Sequence, residues 1–241
     1  MSAQVTRSAT RGLCLLVLLG LSACAGNEDA QGPTVAVNSK AAAEQLLLFE
    51  EARAAGRGQL ARAYAEDIRK KYPGSPAAAQ VQLVMAEVIA MADAEREKTR
   101  LANLWIYHRV NEQKGPVFTA FMYESASKDL DRDARPKLVL RQHPEWGRNV
   151  YLLFPGGRFT CGARCTVQIA FDDAAAKPFE ASQPEGAPEP AMFVEEAKRF
   201  LDALPNAHWV TLIMPVRGGT KSFRFEVAGL DIARLGPAPA K

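Results

Sequence analysis

At Gly115 the spacing of apolar residues changes from three or four to two, and this switch divides the chain into a helical half and a stranded half. Upstream, from Ser39 to about Val110, the sequence is rich in Ala, Glu, Lys, Arg and Leu. Between Ala41 and Ala55 the spacing places Leu46, Leu47 and Phe49 on one side of a helix. Leu60, Tyr64, Ile68 and Tyr72 follow at intervals of four, and Gly56 and Gly58 separate the two segments, so an antiparallel helical hairpin is expected. Pro73 and Gly74 stop the second helix, Ser75 can cap a third, and Pro76 suits its first turn. The third helix carries Val81, Val84, Met85, Val88 and Ile89, then a charged stretch toward Trp105.

Downstream, period-two alternation predicts strands at Val117–Tyr123, Lys137–Arg141, Asn149–Phe154, Thr166–Phe171, His208–Val216 and Ser222–Val227. Gly218-Gly219 is the expected two-residue turn of the last hairpin, because such turns need positive φ. A Pro-rich loop is expected from Asp172 to Pro190. One helix should then bury Phe193, Val194, Ala197, Phe200, Leu201 and Leu204 on a single face. The fold class is α+β: a helical hairpin or repeat-like segment over 39–114, then a mainly antiparallel β-sheet or β-sandwich with one packed helix over 115–236, and a tail at 237–241.

The amino terminus has the three-part layout of a secretory signal, with Arg7 and Arg11 preceding an apolar run from Leu13 to Leu19. That run is shorter than the ~20 residues needed to span a bilayer. It ends in Leu21-Ser22-Ala23-Cys24, which resembles the lipobox of bacterial lipoproteins. The resemblance implies a signal peptide over 1–23 and acylation at Cys24, where two or more chains give a stable anchor. An ordinary secretory cleavage would leave Cys24 free. Ala25 stands where many inner-membrane lipoproteins carry Asp, so the resemblance implies the outer membrane, with the protein facing the periplasm. Residues 24–38 are small and polar and are expected to form a tether reaching on the order of 20 Å.

The chain of 241 residues carries a formal charge of +3, and Arg7 and Arg11 account for all but +1. So balanced a chain offers no electrostatic footprint for nucleic acid. Beyond Cys14 and Cys24 the sequence keeps Cys161 and Cys165. A disulfide is the expected state in an oxidising compartment, with free thiols or a metal site as the alternatives. No metal or cofactor motif is recognisable around His108, His143 and His208, and the expectation is a protein that is not an enzyme. Asp172-Asp173 reads as a solvated strand end or a carboxylate pair. Trp146, in the His143-to-Gly147 loop, either caps the core edge or offers an exposed contact. Trp105 and Tyr107 are expected at the seam between the halves. Arg135, Arg141, Arg148, Arg158 and Arg164 recur through the first strands and turns, as solvated edges or as a cationic face for carboxylates or phosphates. The possible binding surface is accordingly Arg141, Trp146, Arg148 and Arg158.

Lys71-Tyr72-Pro73-Gly74-Ser75-Pro76 with Ala77–Gln80 resembles the inter-repeat turn of periplasmic tetratricopeptide-like repeats, over about 50 residues. It implies either a peptide-binding groove or a packing element. From Arg135 to Leu235, the order of Pro136–Arg141, Val150-Tyr151-Leu152, Phe171-Asp172-Asp173, Phe200–Leu204 and Phe223–Leu230 resembles the TagO-like accessory family of type VI secretion. The Trp-Ser pair frequent in that family is replaced by Pro178-Phe179 and Ala181-Ser182. The resemblance implies a non-catalytic β-rich fold and an accessory role in the envelope. The expected activity is binding or scaffolding: the membrane engaged through the lipid, a periplasmic protein as partner, and peptidoglycan as a second candidate. Two rival readings are a hydrolase using His143 or Asp172, and an enzyme inhibitor using the Pro-rich loop.

Overall fold

A computed structural model describes residues 33–184 and 190–237. Cys24, the signal segment and the tip of the Pro-rich loop (185–189) lie outside the described residues. The architecture is α+β: three helices, α1 (Pro33–Ala54), α2 (Gly58–Lys71) and α3 (Pro76–Ala102), precede a nine-stranded antiparallel sheet with one further helix. Helix α1 takes in residues 33–38, which the sequence reading assigned to the tether.

The helices share their own core, separate from that of the sheet. Ser75 caps α3 as expected, its hydroxyl accepting from Ala78 N at 3.1 Å, with Pro76 in the first turn. The expected stripe on α2 holds at Ile68, with Tyr64 and Tyr72 half-buried against the same core, but fails at Leu60. Ala61, Ala65 and Ile68 are sealed, whereas Leu60 lies at the surface. Small residues let the backbones approach closely: a Cβ on Gly58 would stand 2.5 Å from the Met91 carbonyl carbon in α3. In α1 Phe49 is fully buried, but Leu47 is 72% exposed, since helical neighbours two apart diverge by about 200°.

The strands are β1 (Ile106–Glu112), β2 (Gly115–Tyr123), β3 (Lys137–His143), β4 (Gly147–Leu153), β5 (Cys165–Phe171), β6 (Lys177–Ser182), β7 (Ala191–Val194), β8 (Trp209–Val216) and β9 (Gly219–Glu226). Their order is β1-β2-β3-β4-β7-β6-β5-β8-β9. The sheet curls until its outer segments meet: the Trp105 indole donates to Val227 O at 3.1 Å, and Ser125 N to Arg224 O at 3.0 Å. Alternate residues fill the enclosed core, among them Met122, Leu138, Leu140, Leu152, Ile169, Leu212, Phe223 and Phe225. Helix α4 (Ala197–Ala203) places Phe200 between Phe171 and Phe179.

Three strands differ from expectation. The helical part ends at Ala102 rather than at residue 114, and β1 pairs with β2 along its whole length. Its outer residues are exposed, so no apolar alternation marks it. Strand β6 occupies part of the expected Pro-rich loop; Pro178 is tolerated there because β7 pairs with β6 only at Ala181 and Ser182. Phe193 and Val194 belong to β7, so the helix starts later than its apolar spacing suggests. The last hairpin turns at Arg217-Gly218, one residue early, since Val216 pairs with Gly219.

Candidate functional site: a cationic cleft at the mouth of the sheet

Strand β4 ends at Leu153, and Phe154 turns back over the open end of the core, against Phe159 (5.8 Å between ring centroids) and Phe223 (5.0 Å). Gly157 leaves room for that ring: a Cβ there would lie 1.9 Å from it, so any larger residue would push the Phe154 side chain aside. The chain then runs beside the end of β8. Phe159 bridges Val216, Arg217 N donates to Arg158 O at 2.9 Å, and Thr160 N donates to Pro215 O at 3.1 Å. These bonds hold the Arg158 and Arg217 backbones side by side. Cys161 and Cys165 are joined in a disulfide just beyond, bracing the same segment against β5.

Lys221 completes the group. It lies on the inward-facing row of β9, two residues before Phe223, with its ammonium 4.8 Å from the Phe154 ring centroid and 5.2 Å from that of Phe223. The resulting cleft of about 580 Å³ is lined by Phe154, Pro155, Gly156, Gly157, Arg158, Val216, Arg217 and Lys221. It holds three cations, no carboxylate and an aromatic floor. Among the described residues none of the three cations makes an ion pair. Like charges held close with no counterion favour an anionic occupant, and Arg presents forks matched to carboxylate or phosphate.

The other arginines of the expected surface are elsewhere. Trp146 and Arg141 lie at the opposite end of β4 from Arg158, so the four residues do not form one face. Arg141 pairs with Glu112 at 3.3 Å and lies over Trp146. Arg148 is committed to Gln142 Oε1 at 3.2 Å and the Gly236 carbonyl at 3.4 Å. Trp146 does not cap the core: it is 66% exposed and stacks on His143 at 3.9 Å. His143 is itself buried. Its Nδ1 accepts from Glu145 N and Trp146 N, and its Nε2 faces Glu112 Oε2 at 3.4 Å, so the ring organises the β3–β4 turn. Asp172 has φ +50°, and its Oδ1 accepts from His208 N and Trp209 N, each at 2.8 Å, which anchors the start of β8. Arg164 is exposed, and Arg135 lies over Tyr123 at 4.7 Å.

Sequence reasoning names Arg158 but reads Arg217-Gly218-Gly219-Thr220-Lys221, which lacks phosphate-loop spacing, as a hairpin turn. Arg217 and Lys221 belong to the terminal hairpin, whose glycines drew attention to the turn, and it is the tertiary pairing of Arg158–Thr160 with Pro215–Arg217 that brings that hairpin to Arg158. Glu124 escaped notice. It is 6% exposed, and burial pushes its carboxyl up from the ordinary range, with Lys221 opposing the shift.

No family model and no curated protein matches the sequence. Among solved structures, the crystal structure of invasion associated protein B from Bartonella henselae is similar, at 14% identity and a TM-score of 0.38, over 55% of this chain and 91% of that one.

Proposed function

We propose that this chain is a non-catalytic binding module of the bacterial envelope, which captures an anionic group of its partner in the cleft of Arg158, Arg217 and Lys221. The observation that carries the reading is three cations around an aromatic floor with no acidic side chain among them. The Arg158–Arg217 backbone pairing sets two of these exposed side chains out from neighbouring points of the cleft wall. The signal-like leader and Cys24 support a lipid anchor in the outer membrane with the folded part in the periplasm. In that compartment the stem-peptide carboxylates of peptidoglycan and acidic segments of envelope proteins are candidate anions. An accessory role in an envelope or type VI secretion assembly fits the ordered motifs from Arg135 to Leu235.

The test is an equilibrium titration with peptidoglycan stem peptides and with a Glu-rich peptide, at low and high salt. Wild type should bind at least one, more weakly as salt rises, and the Arg158→Gln/Arg217→Gln variant should lose tenfold or more. An absence of binding to both probes, or affinity unchanged in that variant, would overturn the reading.

A further inference from the structure

We propose that a second cleft, where the end of α3 meets the sheet, is a binding site for a tetrahedral oxyanion, a phosphate monoester. It is separate from the mouth cleft and encloses about 280 Å³. One wall is the end of α3 with Asn103 and Leu104, another is the end of β2, and the segment after β2 supplies further lining residues.

The charges at this site do not balance. Glu226 is saturated: both Arg100 Nη atoms donate to it, at 3.0 and 2.6 Å, and His208 Nε2 stands 2.9 Å away. Arg100 also pairs with Glu97, so neither member of the latch is free. The segment after β2 contributes Lys128, Arg132 and Arg135. Among the described residues Lys128 and Arg132 have no carboxylate within ion-pair distance. Arg135 reaches only Ser127 Oγ and the Glu124 carbonyl, each at 3.5 Å, and lies flat over Tyr123. Arg132 approaches the same ring at 6.0 Å. The one remaining acid is Glu124, and burial favours its protonated form.

Arg132 and Arg135 lie over the Tyr123 ring, which Lys137 also approaches at 5.9 Å. With Lys128 and Arg100 these cations outnumber Glu97, Glu124 and Glu226, leaving a net positive field at the cleft. The C-terminal end of α3 and its Arg100, already shared between Glu97 and Glu226, add no attraction for an anion, so the pull comes from Lys128, Arg132 and Arg135. Two guanidinium forks, an ammonium and the Asn103 amide supply donors from several directions. That arrangement suits an oxyanion with three terminal oxygens better than a planar carboxylate. Because the walls come from α3 and from the sheet, the bound ester would tie the helical half to the β half.

Isothermal titration of the full chain with inorganic phosphate, glycerol 3-phosphate and succinate tests this. Lys128 and Arg132 are exposed, so Lys128→Gln/Arg132→Gln should fold normally. Wild type should bind the phosphates more tightly than succinate. The double variant should weaken phosphate binding by at least tenfold, while Arg158→Gln/Arg217→Gln leaves it unchanged. No phosphate binding at about 10 mM, equal or tighter succinate binding, or an unaffected Lys128/Arg132 variant would each overturn the proposal. Loss of phosphate binding only in the Arg158/Arg217 variant would overturn it too, since that places the anion in the mouth cleft.

Discussion

Replacing Gly229 with alanine should measure how tightly the helical half rests on the sheet. Gly229 has φ +83°, and an added Cβ would lie 2.6 Å from the Leu101 carbonyl carbon and 2.7 Å from Ala102 N, both backbone atoms at the end of α3. The positive φ alone costs roughly 1–2 kcal/mol for a residue with a Cβ. Relieving the clash requires the end of α3 to move away from the turn after β9. That movement pulls against the Trp105–Val227 hydrogen bond and the Arg100–Glu226 pair. Overpacking of this kind costs a further ~1–3 kcal/mol, so Gly229→Ala should lose about 2–5 kcal/mol in all. Gly218→Ala is the control: its φ is +92°, but nothing lies within 4 Å of the added Cβ, so only the backbone cost applies. Urea unfolding followed by circular dichroism, with both variants at the same m-value, compares them directly. Equal losses within about 0.5 kcal/mol would refute the tight α3–turn contact.

Other perturbations follow from the same contacts. Trp105→Phe keeps the ring but leaves the buried Val227 carbonyl unpaired, which should cost about 1–3 kcal/mol in denaturant unfolding; a neutral result would contradict the bond. Reducing the Cys161–Cys165 disulfide should cost about 2 kcal/mol at most, because the loop is short, and should weaken anion binding by loosening the Arg158 segment. Arg100 holds the Glu226 carboxyl below the ordinary range, so its stabilisation is present above the unfolded-state value and is lost as pH falls through the depressed folded value. Glu226→Gln should therefore flatten the acid limb of a stability–pH profile. Glu124 runs the other way: its pKa is raised, so the stability its protonated form provides fades as pH rises through that value, and Glu124→Gln should gain relative stability at pH 7.

Much of the fold can be read from local pattern. Ser75-Pro76 starts α3, alternation in Phe223 and Phe225 points both into the core, and the cysteines pair. These outcomes depend on neighbours a few residues away. The departures share a different origin. Strand β1 carries exposed, charged residues and exists because β2 offers it a ladder, which no feature of Ile106–Glu112 announces. Strand β6 hides in a Pro-rich run because β5 supplies its pairing from Cys165 to Ile169. On α2 only Leu60 was misplaced, because large residues dominate a periodicity count, whereas close helix packing rewards Ala61 and Ala65. The site was half legible for the same reason. Arg158 stands out among repeated arginines, but Arg217 and Lys221 join it only through tertiary pairing, and the exposure of Trp146 follows from its stacking on His143.

Backbone amide chemical-shift mapping during titration with an acidic stem peptide tests the central reading most directly. Perturbations should cluster at residues 156–158 and 216–221, and should vanish in the Arg158→Gln/Arg217→Gln variant. A map centred on Arg141 and Trp146 instead, or a saturating ligand that leaves the mouth of the sheet unmoved, would contradict it.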